Sequence, residues 1–228
     1  LKDGKLGNDA DGDGEIEYWT LIESREDFQA MMTGDTPARV AGVAQCGGED
    51  KVGSGYTQFY RTGAANDVPF KIPFLESSPT LTEMSLAAIN VLDQDPDGFF
   101  LMVEGANVDY GCHFGWMGRA IEELVDFNHA VEAVVEWVEA NSSWDETLLV
   151  ITSDHETGGF WGPDAGQGEV DEPADPDVWV PIVNNGKGNL PGAVAYNHFW
   201  AYGPDFYWHT NALVPLFAKG VNTDLFHT

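Results

Sequence analysis

The stretch "TLLVITSDHETGG", residues 147–159, begins as an apolar run and ends in Asp154, His155 and glycine. A short continuous apolar run closed by glycine reads as a buried strand. A carboxylate and an imidazole at its end add nothing to that burial, and a solvated turn is served as well by Asn or Ser. Upstream, "GFFLMVEG" (98–105) reads as a second apolar strand, ending in Glu104 and Gly105. Between the two, from about residue 117 to 140, Ile121, Leu124, Val125, Val131, Val134, Val135 and Val138 form one stripe of an amphipathic helix. Downstream, "LVPLFAKG" (213–220) is another apolar strand. Strand, helix and strand in succession predict an α/β fold, doubly wound, with a largely parallel sheet and helices on both faces. Ligands of such sheets gather at the carboxyl ends of strands, the kind of position that Glu104 and Asp154 occupy.

The rest of the chain divides around this pattern. "TLTEMSLAAINVLDQ" (80–94) opens with Thr80 and Glu83 at capping-box spacing and continues with apolar Met84, Ala87, Ala88, Val91 and Leu92, a second amphipathic helix. Residues 46–79 are rich in Gly, Ser, Asn and Pro and read as loop with short strands. In "DADGDGEIEYWT" (9–20), Asp9, Asp11 and Asp13 alternate, Gly14 permits a tight turn and Ile16 can anchor the loop. That is the first part of a calcium loop, although Thr20 stands where a bidentate Glu would close it. The same run serves equally as a solvated Asp/Gly turn before the helix-like "YWTLIESREDFQAMM" (18–32). The expected organisation is an acidic, loop-rich segment over 1–79 and the main domain over 80–228. An irregular insertion at about 160–208 carries Trp161, Trp179, Trp200 and Trp208, which favour an ordered cover.

Composition excludes several function classes. With 228 residues, 43% of them hydrophobic, the chain can bury a real core. Its 38 acidic against 10 basic residues give a net charge of -28, which repels nucleic acid and anionic membrane alike. A handful of metal-binding acids cannot offset that charge, so the surface reads as adapted to high salt, where screening acts over about 3 Å at 1 M. An aromatic content of 12% argues against disorder. No apolar stretch reaches the roughly 18 residues of a membrane span. Cys46 and Cys112 are too few for a disulfide scaffold, and spacing does not say whether they pair. The sequence starts at Leu1 without a signal-peptide pattern and reads as a product of processing or truncation.

Histidine placement points to chemistry. Of six histidines, His113, His155 and His209 fall where apolar strands begin or end, and Asp109 stands four residues before His113. A divalent cation of intermediate softness, such as zinc, takes mixed imidazole and carboxylate ligands and keeps an open position beyond about three of them when catalytic. Asp109, His113 and His209 make one such set. Each element also has a plain use: an Asp and a His four apart make a hydrogen-bonded turn pair, and an Asp-His dipeptide makes a cap. The conjunction of two acid/His pairs and Glu104 at strand ends is what favours a metal.

The blocks "FFLMVEGANVDYGCH", "EELVDFNHAVEAVVEW", "TLLVITSDHETGG" and "HTNALVPLFAKG" resemble successive motifs of the alkaline phosphatases, in family order, across roughly residues 80–220. The resemblance implies hydrolysis of phosphate monoesters with two zinc ions and one magnesium. It assigns Asp109, His113 and His209 to the first zinc, Asp154 and His155 to the second, and Glu104 to magnesium. It further implies a serine nucleophile that passes through a phosphoseryl intermediate, a homodimer, and a periplasmic or extracellular location.

The family carries its serine in an Asp-Ser-Ala context, with a phosphate-binding Arg also upstream of these blocks, and neither context occurs in the 228 residues. The expectation is therefore a C-terminal part of a larger enzyme, whose N-terminal strands and nucleophile come from another chain or segment. Tyr110 and Cys112, inside the Asp109–His113 loop, stand where relatives vary; Cys112 can bind metal, oxidise, or pack as a small hydrophobe. Two other readings remain: a phosphodiesterase or sulfatase of the same superfamily, or a non-catalytic metal-binding or calcium-stabilised module. Neither cysteine stands in a sulfatase-type Cys-x-Pro-x-Arg setting.

Overall fold

The computed structural model describes residues 3–9, 13–44, 59, 61, 68–158, 160–161, 180–183, 194–197, 209–210 and 213–226. Two compact units emerge, one from residues 1–62, 73–105 and 126–134, the other from 63–72, 106–125 and 135–228.

In the first unit, β1 (Gly7–Asn8) and β2 (Glu17–Tyr18) form a short antiparallel pair. Next, β3 (Thr20–Ile22) runs parallel to β4 (Val40–Gly42), with Thr20 opposite Val40 and Ile22 opposite Gly42. The stretch 18–32, expected as helix, thus divides. Tyr18, Trp19, Thr20, Leu21 and Ile22 carry the aromatic and branched side chains that suit a pleated surface, and helix begins only at α1 (Arg25–Ala30). Ser24 caps it: its side chain accepts from the Asp27 backbone N–H while the Asp27 carboxylate accepts from the Ser24 N–H. Ile22, Phe28 and Ala87 form a buried cluster flanked by Met31, Met32, Val40 and Ala44.

The second helix, α2 (Leu81–Leu92), starts where Thr80 and Glu83 predict it. Ala87 and Ile89 are buried, whereas Met84, expected inward, is 40% exposed. Glu83 joins two helices. Its Oε2 accepts the Thr80 backbone N–H at 2.9 Å, while Nε of Arg25 donates to the same oxygen at 2.9 Å and Nη2 of Arg25 to Oε1 at 2.8 Å. Nε2 of Gln29 adds a further bond to Oε1 at 2.7 Å. Burial by itself raises the Glu83 pKa, but the bonds from Arg25, Gln29 and Thr80 outweigh it and hold the carboxyl below its usual range.

Segment 98–105, expected as a strand, has no ladder to any described residue. A strand exists through its hydrogen-bonded neighbours, and without them Phe100 is 89% and Met102 69% exposed. Glu104, also exposed, belongs to this unit.

The second unit contains α3 (Ala106–His113) and both ends of the long α4 (Met117–Asn141). An interrupted two-stranded ribbon follows. β5 (Leu148–Thr152) pairs with β11 (Leu216–Gly220), Thr152 opposite Leu216 and Leu148 opposite Gly220. β6 (Glu156–Thr157) pairs with β10 (His209–Thr210), Thr157 opposite His209. Both pairings are antiparallel, so the expected parallel arrangement is not what the described residues adopt around residues 147–159; among them only β3 and β4 are parallel. The reason lies in connectivity: the chain leaves through β6 and returns through β10, so β11 must run back along β5. At its end Gly220 takes φ +110°, a conformation that side chains disfavour, and the next N–H, of Val221, donates to the Thr147 carbonyl at 3.0 Å. Nζ of Lys219 lies 4.0 Å from the Trp144 ring centroid and bonds Glu139 at 3.1 Å, tying β11 to the end of α4. Within 160–208 the described residues form a three-stranded antiparallel sheet, β7 (Phe160–Trp161), β9 (Val194–Asn197) and β8 (Val180–Val183) in that spatial order. Trp179, Trp200, Trp208 and Cys46 lie outside the described residues.

The Glu83 junction generates a prediction. Glu83→Ala removes a helix cap and leaves Arg25 without its carboxylate, so urea denaturation at neutral pH should show a loss of about 2–3 kcal/mol. Because folding lowers this carboxyl's pKa, its contribution is present above the unfolded value of about 4.3 and is lost as pH falls through the folded value. The gap between the parent chain and Glu83→Gln should therefore shrink below about pH 4; a gap that stays constant from pH 7 to pH 3 contradicts this assignment.

Candidate metal centre

The ribbon is interrupted at residues 153–155, between β5 and β6, and there Asp154 and His155 stand. Freed from the ladder, Asp154 turns back on its neighbour: Oδ1 accepts the His155 backbone N–H at 3.1 Å, and Oδ2 lies 3.0 Å from His155 Nε2. Asp154 is 83% exposed at its side chain and His155 34%. The hydroxyl of Ser153 donates to the His155 carbonyl at 2.7 Å, holding the turn.

From the other side comes α3. Asp109 and His113 are one helical turn apart and share a face, with His113 Nε2 3.3 Å from Asp109 Oδ2. His113 is buried. Gly111, between them, packs on α4, and a methyl group there would sit 2.8 Å from Cα and Cβ of Ala120. The bare glycine lets the two backbones approach, which sets where Asp109 and His113 point.

His209 arrives from β10 through its pairing with Thr157. Its ring centroid lies 3.6 Å from that of His155 and 4.6 Å from that of His113. Asp109, His155 and His209 each place a ligand-capable atom within 4.8 Å of the others. His113 and Asp154 adjoin this triad through Asp109 and His155, and the triad itself combines members of both predicted sets. Ligand atoms bound about 2 Å from one tetrahedral ion lie about 3.3 Å apart, so the widest of these separations would have to close by up to about 1.5 Å. The donor set of imidazole and carboxylate suits zinc.

Thr157 is the residue that sequence reasoning missed. Its hydroxyl donates to Asp109 Oδ1 and lies 3.2 Å from Nδ1 of His155 and 3.1 Å from Nδ1 of His209. The available signal was the strand period: residues two apart share a face, and Thr157 is two beyond His155. Glu156 contributes through its backbone carbonyl, 3.1 Å from His209 Nδ1.

Cys112 is a free thiol beside His113. Burial, and then the carboxylates of Asp109 and Glu156, push its pKa up to about 12. A thiol kept protonated is a weak nucleophile, which fits packing as a small hydrophobe.

The calcium-loop candidate is partly described. Asp9, Asp13 and Glu17 approach one another closely enough to share an ion, and Asp11 lies outside the described residues. Asp9 accepts the Gly14 N–H at 3.1 Å and Asp13 the Glu15 N–H at 2.8 Å. Those bonds shape an Asp/Gly turn that holds the acidic side chains of the loop.

A cluster of imidazoles and carboxylates able to hold a metal ion, at a break in an antiparallel ribbon, is the class of site these residues define. The family profile described as "Alkaline phosphatase" matches residues 59–176, and the chain belongs to that family. Alkaline phosphatase 3 of Bacillus subtilis is 38% identical over 97 residues, which is 42% of this chain and 20% of that protein. The repressible alkaline phosphatase of Saccharomyces cerevisiae is 32% identical over 163 residues, covering 68% of this chain and 26% of that protein. Among solved structures, the alkaline phosphatase of the Antarctic bacterium TAB5 aligns with 89% of this chain and 45% of its own, at 22% identity and a TM-score of 0.45. The chain spans about a fifth to a quarter of the length of these two curated relatives.

The raised pKa of the half-buried Cys112 leads to a measurable outcome. Only the thiolate is nucleophilic, so with chelator present at about pH 8 iodoacetamide should leave Cys112 unmodified in the folded chain and alkylate it once urea unfolds the protein. Peptide mapping reads this directly, and rapid folded-state alkylation at Cys112 would sink the assignment.

Proposed function

We propose that the chain is part of a phosphomonoester hydrolase. The observation that carries the reading is the convergence of Asp109, His155 and His209, flanked by His113 and Asp154, in a chain of the alkaline phosphatase family. Asp109, His113 and His209 would hold one zinc, Asp154 and His155 part of a second, and Glu104 would be a magnesium ligand. Bound there, such ions stabilise the charge developing on a phosphate ester and activate oxygen nucleophiles.

The chain's own residues have three tasks in this reading. Asp109 and Asp154 supply negative charge to hold the cations, and their facing histidines supply neutral donors. The exposed side of Asp154 and the half-buried His155 leave the centre accessible to a phosphate group. The ribbon and α3 keep the ligands together before any ion arrives, which lowers the ordering cost of binding. The serine nucleophile is assigned to residues outside these 228, because no Asp-Ser-Ala triplet occurs among them. The doubly wound, largely parallel sheet and the homodimer belong to the proposal for the whole enzyme, as does export to the periplasm or outside the cell. No helix among the described residues is long and apolar enough to cross a membrane.

The absent nucleophile context also favours a second reading, in which the 228 residues alone bind metal without turnover. Elemental analysis of the purified chain, paired with p-nitrophenyl phosphate hydrolysis before and after chelation, separates the two. Zinc retained per chain together with chelator-sensitive hydrolysis would mean that a segment carrying the nucleophile accompanies these residues, and supports the hydrolase reading. Zinc retained without hydrolysis assigns turnover to the larger protein, and His209→Ala should then weaken zinc binding by about 100-fold or more, since a direct ligand is lost. A chain that retains no more zinc than a buffer control overturns the metal-centre reading itself.

A further inference from the structure

We propose that Thr157 is the positioning residue of this centre: its single hydroxyl fixes Asp109 and holds His155 as the Nδ1–H tautomer, leaving the Nε2 lone pair free for a cation. The inference rests on the metal-centre reading above for its purpose, and on the hydrogen-bond geometry for its content.

A threonine hydroxyl has one proton to donate and two lone pairs to accept with. An ionised carboxylate only accepts, so the contact between Thr157 Oγ1 and Asp109 Oδ1 consumes that proton. Every other polar contact of Oγ1 must then be one in which it accepts. His155 Nδ1, at 3.2 Å, can satisfy this only by carrying the hydrogen. His209 Nδ1 is constrained twice, because it faces Oγ1 at 3.1 Å and the Glu156 carbonyl, another pure acceptor, at 3.1 Å. In the neutral rings the lone pairs consequently sit on Nε2.

The arrangement at the opposite edge of His155 follows. Its Nε2 lies 3.0 Å from Asp154 Oδ2, which sets a lone pair against a carboxylate oxygen unless a proton or a cation stands between them. A cation resolves this contact at the atom that the tautomer leaves open, and His113 Nε2 lies 3.3 Å from Asp109 Oδ2 close by. Outer partners of this kind orient ligand imidazoles and tune their basicity. Thr157 thereby links members of the two predicted ligand sets, since Asp109 and His209 belong to one and His155 to the other.

Long-range proton–nitrogen NMR of the 15N-labelled full chain reads the tautomers directly, in chelator at about pH 8.5 where neutral imidazole dominates. The parent chain should show Nδ1–H at both His155 and His209. In Thr157→Val, which keeps the branched shape, His155 should lose that fixed tautomer while His209 retains it through the Glu156 carbonyl; Thr157→Ser should restore the parent pattern. Competition with a chromogenic chelator should show zinc held about 10–100-fold more weakly by Thr157→Val and within about threefold of the parent by Thr157→Ser. An Nε2–H tautomer at His155 in the parent overturns the proposal, as does a Thr157→Val chain with parental tautomers and parental zinc affinity. Should the valine variant not fold by circular dichroism, the parent and Thr157→Ser tautomers still decide. A parent chain that binds no zinc refutes the metal reading alone, because the tautomer pattern stands or falls separately.

Discussion

The antiparallel register that sets His209 opposite Thr157 is the constraint on which the site depends. Those residues are 52 apart in sequence, and nothing local holds them near one another. Two backbone-paired segments, β5 with β11 and β6 with β10, bracket the break at residues 153–155 and fix it from both ends. A slip of one residue in β10 would turn His209 to the other face of the ribbon, away from His155 and Thr157. The short strands matter because the register is shared: the five-residue pairing of β5 with β11 anchors the two-residue pairing of β6 with β10.

The second contribution is a close helix contact. Helical periodicity puts Asp109 and His113 on one face, and the glycine between them lets α3 lie against Ala120 of α4. Helix and ribbon meet through the Thr157 hydroxyl and Asp109. A polar group of this kind, given partners on three sides, costs little to bury and specifies one arrangement of its neighbours. A carboxylate plays the corresponding part in the first unit, where Glu83 closes a capping box and receives Arg25 and Gln29 at once. In both places a local sequence signal is reused as a long-range tie.

Strong negative charge surrounds this architecture, with 38 acidic residues against 10 basic ones. Such a field repels nucleic acid, and it equally repels a phosphate ester in the absence of cations. Bound divalent ions at Asp109 and Asp154 would reverse the local sign where an anionic substrate must approach, so the composition and the proposed metal centre are physically consistent.

Much was legible in the sequence itself. The capping pair at Thr80 and Glu83, the helical character of α4 and the apolar run of β5 follow from local periodicity or short spacing, which the chain carries whatever its neighbours do, whereas the five candidate zinc ligands were assigned through the resemblance of whole motifs to a family. The expected strand at 98–105 and the parallel order around residues 147–159 were not recoverable that way. An apolar run states that a segment seeks burial, but only a partner backbone makes it a strand and gives it a direction. The role of Thr157 was likewise hidden, because a threonine is an ordinary strand residue until tertiary structure brings a carboxylate and two imidazoles to its hydroxyl. Local pattern in the chain marked which carboxylates and imidazoles stand at segment ends and where α2 and α4 run. Which of those side chains meet depends on strand register and helix contact, which act between residues too far apart in the chain for any local pattern to encode.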